Sequence, residues 1–372
     1  MTASWRFNAY DLATEAFLAR LNVETWQSID TLAKSGDRWN AVVQLDADDT
    51  GTAIRDATQG GRTVVVAERD GVPVYTGIVW QRQYWSSQRT LQIQGADLMS
   101  YFDAQALVIN KTYNASDQFA IFRDLAARCQ AAAGDADIGV TPDTGNSGVT
   151  RDRVYAGWEG AYYGQRMREL SQVEDGFDFD IRVEYQSGVP VRQIRCWYPR
   201  RGREIATTGL RFRFGGNGNV TGYRQTEDWS TMASRVWALG AGDGQDRLRR
   251  ARNISDLTTA GWPYVATAIT YPSVSTPAVL IEHGDHDVAE RSVINREEFE
   301  IDVDPEFPGQ PFGSWDLGDD CYVVVEDDEL WPANTQTADP GLVRLRRVTG
   351  HGWQVRSGQE TLTVTLGAKV VP

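Results

Sequence analysis

Residues Arg62–Val108 read RTVVVAERDGVPVYTGIVWQRQYWSSQRTLQIQGADLMSYFDAQALV, and this stretch decides the fold. It opens with the valine run Val64–Val66, and the turn dipeptide Asp70-Gly71 leads into a second run rich in β-branched and aromatic residues. After Ser86-Ser87, the segment Thr90–Gln94 alternates apolar and polar residues with period two, which is typical of a strand with one buried face. The stretch therefore predicts three antiparallel strands in a meander.

A similar succession recurs near the C-terminus. Val323–Val325 is again a valine triplet, Leu342–Val348 has strand composition, and Thr361–Gly367 repeats the pattern of the last strand of the meander. In this comparison Gly350–Gly352 takes the place of the second turn. A recurrence of this kind indicates a duplicated supersecondary unit, although any two meanders share the pattern. The sequence leaves open both a chance likeness and two copies of one barrel module.

The N-terminal residues supply further strands. Trp5–Tyr10, Leu21–Ile29 and Trp39–Leu45 are strand-like, and with the meander they suffice to close a small barrel. After the meander, Leu98–Leu107 has the apolar spacing of a short amphipathic segment that leaves the sheet.

The middle of the chain has a mixed pattern. Ser116 is expected to cap an amphipathic helix that runs to about Ala133, and a second helix is expected at Gln165–Asp175. Phe177–Tyr185 and Val191–Tyr198 then form a predicted hairpin, so that this block is an α+β insertion.

The C-terminal part returns to strands. We place Ser234–Leu239, Phe299–Val303 and Cys321–Val325 in a second barrel, and we interpret Ala251–Ala260 and Thr276–Glu282 as short helical excursions. The predicted fold is mainly β, α+β, with two small β-barrel modules flanking a mixed domain. The domains are a first barrel at 1–108, an α+β insertion at 109–205, a discontinuous second barrel at 206–250 and 296–372, and a short helical excursion at 251–295.

Composition indicates an ordinary folded protein. The 372 residues are enough for about two to four domains, and 41% hydrophobic with 24% charged residues excludes a disordered chain. The net charge of −14 disfavours general binding to nucleic acid. Cys129, Cys196 and Cys321 lack the spacing of a zinc site or a disulfide framework. No apolar run is long enough to span a membrane, Asp11 and Glu15 interrupt the region where a secretory signal is apolar, and folding in a cytoplasm is expected.

The densest group of potential metal ligands is Glu282–Asp287, which reads EHGDHD. His283 and His286 would be neighbours on a helix, with Asp285 between them in sequence. Gly284 weakens a helix, and no distant third ligand is evident. We therefore predict a solvated acidic turn and no metal or other cofactor, with these three residues as weak metal candidates.

Asp175, Asp178 and Asp180 are the candidate carboxylates for glycoside hydrolysis, which needs two acids at a defined separation. Asp178 and Asp180 share one face of a strand, but any half-buried strand alternates in this way. The chain has no GxSxG, HExxH or Cys/His signature of a peptidase or esterase. We predict that the protein is not an enzyme.

Two other features have structural interpretations. Gly240–Gly244 (GAGDG) follows a strand, yet it lacks the third glycine of a dinucleotide loop and the lysine of a P-loop, so a tight turn with positive φ is predicted. The 13 tryptophans are scattered along the chain. They could form sugar-stacking platforms, but core and subunit-interface positions are favoured.

The order of these segments resembles that of bacteriophage tail-tip hub proteins. The likeness is carried by TGIV at Thr76–Val79, GADLMSYFDAQALV at Gly95–Val108 and LGDDCYVVV at Leu317–Val325. The group that the chain resembles most is the minor tail proteins of long-tailed phages (siphoviruses) that infect actinobacteria, which are similar to the central baseplate hub of contractile tails. The resemblance extends over most of the chain by order of segments, without one diagnostic motif.

This resemblance implies a structural homotrimer at the distal end of the tail in the virion. Two like barrels in three copies would present six near-equivalent surfaces to the sixfold tail tube, and threefold surfaces to tip fibres or a spike. The implied partners are the distal tail protein ring, the C-terminus of the tape measure protein and other minor tail proteins. Genomic DNA would pass a central channel without specific binding. The alternative is a carbohydrate-active or carbohydrate-binding tail protein that acts on the host cell wall.

Overall fold

The computed structural model of the chain describes residues 3–34, 37–45, 52–133, 136–173, 175–253, 255–272, 274, 276–291, 297–333 and 341–368. Its regular structure is mostly strand, which confirms the predicted mainly β class. The chain divides into two compact units. Unit 1 contains Met1–Gly222 and Ile301–Thr365, and unit 2 contains Tyr223–Glu300 and Leu366–Val370.

Unit 1 begins with seven strands and two short helices. In chain order these are β1 (Trp5–Asp11), β2 (Phe17–Arg20), β3 (Val23–Thr31), β4 (Arg38–Gln44), α1 (Thr52–Asp56), β5 (Thr63–Arg69), β6 (Val72–Trp85), β7 (Thr90–Asp97) and α2 (Met99–Ala104). Their order in the sheet is β3-β4-β7-β6-β5-β1-β2. The antiparallel pairing of β5 with β6 and of β6 with β7 confirms the predicted meander. Asp70 and Gly71 have φ of 52° and 81°, as a tight hairpin turn requires.

Trp39 fixes the packing of this sheet. Its side chain is 2% exposed and stacks on Trp26, with ring centroids 4.9 Å apart. Gly77 in β6 and Gly95 in β7 lie beneath the Trp39 indole, where a Cβ atom would collide with the ring. The two glycines therefore permit a close approach that no other residue allows.

The middle block of unit 1 mixes helices and strands. It contains β8 (Lys111–Asp117), α3 (Gln118–Gln130), β9 (Val140–Pro142), β10 (Thr150–Tyr155), a 3₁₀ turn (Gly157–Glu159), α4 (Tyr163–Ser171), β11 (Asp178–Gln186) and β12 (Val189–Trp197). The hairpin of β11 and β12 is confirmed, and β9 adds to it in parallel. The phenyl rings of Phe122 and Phe179 pack with centroids 4.6 Å apart, so that α3 lies against β11.

The predicted boundaries of both helices needed correction. Asp117, not Ser116, caps α3, because its carboxylate accepts a 2.9 Å hydrogen bond from the Phe119 backbone N–H, whereas the Ser116 hydroxyl bonds to Asn114. The helix ends at Gln130, and α4 ends at Ser171 rather than at Asp175, which has a φ of 53° that a helix cannot contain.

After the short helix α5 (Ile205–Thr208), strands β13 (Arg211–Phe214) and β14 (Val220–Glu227) lead to unit 2. Unit 2 holds β15 (Arg235–Leu239), a 3₁₀ turn (Gly244–Asp246), β16 (Arg249–Asn253), α6 (Ser255–Thr259), β17 (Ala266–Thr270) and α7 (Pro277–Glu290). The prediction that Ser234–Leu239 belongs to a second barrel was wrong, because β15 is the central strand of a separate sheet, β16-β15-β17. The predicted helical excursion at 251–295 also contains strand residues, since β16 and β17 pair with β15.

The chain ends with β18 (Glu297–Val303), β19 (Asp320–Val325), β20 (Leu342–Arg356) and β21 (Gln359–Ala368). The pairings β19-β13-β14-β18-β21-β20 return to β19 through β20, and they form a ring of six strands. Gly350–Gly352 is not a turn, because it lies inside β20 beside the backbone of β3. Apart from the segment at 234–250, the assignment of two barrel modules and their domain boundaries stays a prediction. Among the described helices, none combines the length and apolar character needed to cross a membrane.

Candidate functional site

Unit 1 contains a cavity of about 640 Å³ whose lining is rich in charged side chains. The ends of β3 and β7, strand β11, and the loops at 197–203 and 312–319 meet around it. Four of these charged residues, Lys34, Asp180, Arg201 and Asp319, are buried, although a charge without a partner is strongly disfavoured inside a protein. The ion pairs around the cavity therefore determine what it can do.

Lys34 is the centre of the first group of charges. Its side chain is 4% exposed, and its Nζ lies 2.9 Å from Asp180 Oδ1 and 3.5 Å from Asp37 Oδ2, with a further ion pair to Asp30. Burial alone would lower the pKa of Lys34, but the carboxylates of Asp180, Asp30 and Asp37 raise that pKa well above its ordinary value. Lys34 is therefore a buried cation held by three acids.

Asp180 connects this group to the arginines. It accepts hydrogen bonds from Arg182 Nε at 2.7 Å and from an Arg201 terminal nitrogen at 2.9 Å. Arg201 is 2% exposed, also bonds to Asp316 at 2.9 Å, and lies 4.9 Å above the Trp197 ring centroid. Burial would raise the pKa of Asp180, but the positive charges of Lys34 and Arg182 outweigh burial and hold that pKa below its ordinary value. The surrounding cations thus favour the ionised form of Asp180.

The predicted hydrolytic carboxylates meet only in part. Asp178 and Asp180 share one face of β11 as expected, but Asp178 is bonded to the Arg201 backbone N–H at 2.7 Å and paired with Arg347. Asp175 lies apart from them, and its backbone carbonyl accepts from Gln118. A general acid needs a raised pKa, whereas that of Asp180 is lowered. The geometry is that of a structural ion network rather than of an acid–base pair.

Two other carboxyl groups at or beside the cavity have raised pKa values, and three buried polar atoms there have no hydrogen-bond partner among the described residues. Burial raises the pKa of Asp37 to about 6, although Lys34 opposes the shift, and burial raises the pKa of Asp97 well above its ordinary value. The Tyr75 hydroxyl, Trp315 Nε1 and His351 Nδ1 are buried atoms without a hydrogen-bond partner in the described part of the chain. Burial lowers the pKa of His351, so its imidazole is neutral.

Sequence reasoning missed Lys34, Arg201 and Asp316 as members of this network. One signal was present, because Lys34 is one of only three lysines in a chain that otherwise uses arginine. The other members come from segments far apart in sequence, and a single charged residue in a loop gives no local sign that it is buried.

The predicted metal candidates lie in unit 2, on α7. The prediction of an acidic turn was wrong, because Glu282–Asp287 lies inside a helix that Pro277 begins. Gly284 fits there since it faces Arg252, whose side chain leaves no room for a Cβ atom. Asp285 pairs with Arg252, and His283 stacks on Tyr271 at 4.3 Å. His286 is exposed. No group of three or more metal-ligating side chains occurs in the described residues.

Two further sequence interpretations can be compared with the structure. Gly242 and Gly244 have φ of 102° and 55°, which confirms a tight turn after β15. The tryptophans are divided between the interior and the surface. Trp26, Trp39, Trp315 and Trp353 are buried, whereas exposed fractions of at least 40% occur at Trp80, Trp85, Trp158 and Trp229.

Comparisons with known proteins show where this fold occurs. The sequence matches no protein-family model and no curated protein. A tail protein from Neisseria meningitidis MC58 is 13% identical, with a TM-score of 0.62 over 98% of this chain and 97% of that chain. The 43 kDa tail protein of prophage MuSo2 from Shewanella oneidensis is 12% identical, with a TM-score of 0.63 over 98% of each chain. A chain of the Francisella PdpA-VgrG complex, half-lidded, is 7% identical, with a TM-score of 0.56 over 100% of this chain and 59% of that chain. The protein therefore shares the fold of these structures.

Proposed function

We propose that the protein is a structural component of a phage tail. The observation that carries the proposal is the likeness to two solved tail proteins over almost the full length of every chain compared. The charged cavity is consistent with this role, because the ion pairs Lys34–Asp180, Arg201–Asp180 and Arg347–Asp178 join segments that are far apart in the sequence.

Within the tail, we place the protein at the distal tip as the homotrimeric hub of a long-tailed phage of actinobacteria. Its six-stranded ring and its seven N-terminal strands would act as two like modules, so that three copies present six similar surfaces to the tail tube and distal ring. Tip fibres or a spike and the C-terminus of the tape measure protein would occupy the threefold positions. The net charge of −14 suits a channel that DNA passes without sticking.

The mass of the purified protein in solution tests the trimer. Light scattering over a range of concentrations, with and without a tail-tube protein, is expected to give a species near three times 41.4 kDa, either alone or with the partner. Cryo-EM of the intact tail then tests the position at the tip. A monomer at every concentration, both alone and with the partner, would refute the hub.

The second candidate, a protein that acts on cell-wall glycans, divides into two hypotheses. Hydrolysis receives no support from Asp178 and Asp180, because both are neutralised by arginines. Binding without hydrolysis is favoured by a different surface, which lies in unit 2.

A further inference from the structure

The three-stranded sheet of unit 2 has one covered face and one open face. Side chains alternate between the two faces of a strand. Val236 and Ala238 of the central strand β15 are fully buried on the side of α7, where Val288 joins their cluster. The alternate residues Arg235, Trp237 and Leu239 point to the opposite face and are only partly buried.

Small residues surround Trp237 on the open face. Its register partners are Ala251 in β16 and Ala268 in β17, and the next pair along β17 places Ala266 beside Arg235. Ala266 and Ala268 are exposed. The register partners of Trp237 in the two neighbouring strands are therefore too small to cover its ring, and the side chain that does lie over the ring is Arg235 of the same strand.

Three more aromatic residues lie near this surface by contact or in sequence. Tyr264 precedes Ala266 by two residues and contacts Arg235, and Trp262 precedes Tyr264 by two residues. Arg235 donates a 3.4 Å hydrogen bond to the Tyr264 hydroxyl, and Trp229 lies 6.2 Å from Trp262 between ring centroids. Tyr264 is 61% exposed and Trp229 is 41% exposed. We name this surface the aromatic face; it comprises Trp229, Arg235, Trp237, Trp262 and Tyr264.

Arg235 gives the aromatic face a positive charge without a counter-ion. It lies on the central strand, and its guanidinium is 4.3 Å from the Trp237 ring centroid. Its Nε is buried without a hydrogen-bond partner, and no described carboxylate forms an ion pair with it. Arg249 on the same face of β16 is exposed and also has no described carboxylate partner. In contrast, Arg252 on the α7 side pairs with Asp285. A guanidinium without a carboxylate partner in the protein is suited to bind a carboxylate or phosphate of a ligand.

The size of the sheet face favours a small ligand over a protein. Strands are about 4.8 Å apart and rise about 3.3 Å per residue, so three strands of five residues offer roughly 240 Å². A stable protein interface buries about 800 Å² on each partner. A long nucleic acid is also disfavoured, because it would meet the negative charge of the rest of the chain.

Aromatic rings, an arginine and uncharged polar groups together suit a sugar. The apolar faces of pyranose rings stack on indole and phenol rings, and Asn253 and Thr270 at the borders of the face can bond to hydroxyl groups. We propose that the aromatic face of unit 2 binds an anionic oligosaccharide, with its sugar rings on the aromatic residues and its acidic group on Arg235. This inference does not depend on the tail-tip role.

The affinities of two oligosaccharides of equal length, one anionic and one neutral, distinguish the contribution of sugar stacking to binding from that of charge. Hyaluronan hexasaccharide carries a carboxylate on alternate rings, whereas chitohexaose is neutral. In isothermal titration calorimetry at low salt, we expect hyaluronan hexasaccharide to bind at least about tenfold more tightly than chitohexaose, because only it can pair with Arg235. Arg235→Ala and Trp237→Ala are each expected to weaken hyaluronan binding by about tenfold or more. Trp158→Ala is the matched control, since Trp158 is 83% exposed in unit 1.

Several results would overturn the proposal. These are no binding of either oligosaccharide at millimolar concentration, unchanged binding by Arg235→Ala and Trp237→Ala, or equal losses in Trp158→Ala. A single-stranded oligonucleotide that binds more tightly than both sugars would identify a different ligand class and refute the sugar. Circular dichroism checks that each variant is folded. If a strand variant does not fold, Tyr264→Ala replaces it, because an exposed ring can be removed without opening the core.

Discussion

Replacing Lys34 by methionine tests whether the buried ion network contributes to stability. Methionine keeps most of the length and the apolar stem of lysine but removes the charge. Asp180, Asp37 and Asp30 would then lose the cation that all three contact. Because the Lys34 side chain is 4% exposed, water cannot easily replace it as a partner.

The expected magnitude follows from the geometry. At 2.9 Å, the Lys34–Asp180 pair has an attraction of about 6 kcal/mol at an effective dielectric constant of about 20. Desolvation of the two charges offsets part of this attraction, and removal of one partner from a buried pair typically costs about 3–5 kcal/mol. We therefore expect Lys34→Met to lower the free energy of unfolding by about 3–5 kcal/mol near neutral pH, a large share of the about 5–15 kcal/mol of a typical protein.

The loss should depend on pH in a defined direction. Lys34 lowers the pKa values of Asp180 and Asp37, and that of Asp37 is already raised to about 6. Without Lys34, both pKa values rise. An acid whose folded pKa lies above its unfolded pKa destabilises the folded state at high pH, and the penalty is relieved as the pH falls through the folded pKa. The destabilisation of Lys34→Met should be largest near about pH 8 and clearly smaller near about pH 5.

Urea unfolding followed by tryptophan fluorescence at both pH values measures this difference. Lys111→Met is the matched control, because Lys111 is 32% exposed and 3.8 Å from Asp124, and its loss should cost less than about 1 kcal/mol. The double variant Lys34→Met/Asp37→Asn should recover part of the loss, since Lys34 is the cation paired with Asp37 in the described residues and the second change removes the anion that Lys34→Met strands. A loss below about 1 kcal/mol near about pH 8 would refute a stabilising role of the buried charges, and an equal loss at both pH values would refute the expected rise of the Asp180 and Asp37 pKa values.

Three other predictions use the same unfolding assay or simple chemistry. Trp39→Ala should cost about 3–5 kcal/mol, because it opens a cavity over Gly77 and Gly95; a cost near zero would contradict the packing. Asp117→Ala should cost about 1 kcal/mol by removing the cap of α3, whereas Ser116→Ala should be nearly neutral, and the reverse order would return the cap to Ser116. A thiol-reactive dye should leave the folded protein unlabelled and label all three cysteines in urea, because burial raises the pKa of each thiol; rapid labelling of the folded protein would refute their burial.

The meander of β5, β6 and β7 could be predicted because its signals are local. Asp70-Gly71 defines the first turn, and period-two alternation identifies Thr90–Gln94. Local signals also place caps to within one residue, but Ser116 and Asp117 are both good capping residues. Only the side-chain hydrogen bond to Phe119 distinguishes them.

The assignment of β15 failed for a different reason. Its alternation predicts a half-buried strand, and that part was right. Which sheet the strand joins depends on its partners, and β16 (Arg249–Asn253) reads RRARN, which does not resemble a strand with one buried face. The apolar and polar pattern of β15 alone therefore does not identify β16 as its neighbour. Charged residues on an edge strand prevent pairing with a further strand, and they also remove the apolar alternation by which a strand is predicted from sequence.

The buried ion network also could not be predicted, because its members are distant in sequence. Alternation in β11 correctly predicts that Asp178 and Asp180 share a face, but it cannot show that this face is also covered. The covering residues, Lys34, Arg201 and Arg347, come from three distant segments, and a single charged residue is by itself typical of an exposed position. Apolar residues of similar size could often replace such a network without loss of stability. Buried charges instead contribute specificity, because each must lie next to a charge of opposite sign. Asp180 contacts both Lys34 and Arg201, so a shift of β11 by one residue would turn the Asp180 carboxylate to the other face of the strand and away from both cations, which favours one register where an apolar face would tolerate more than one.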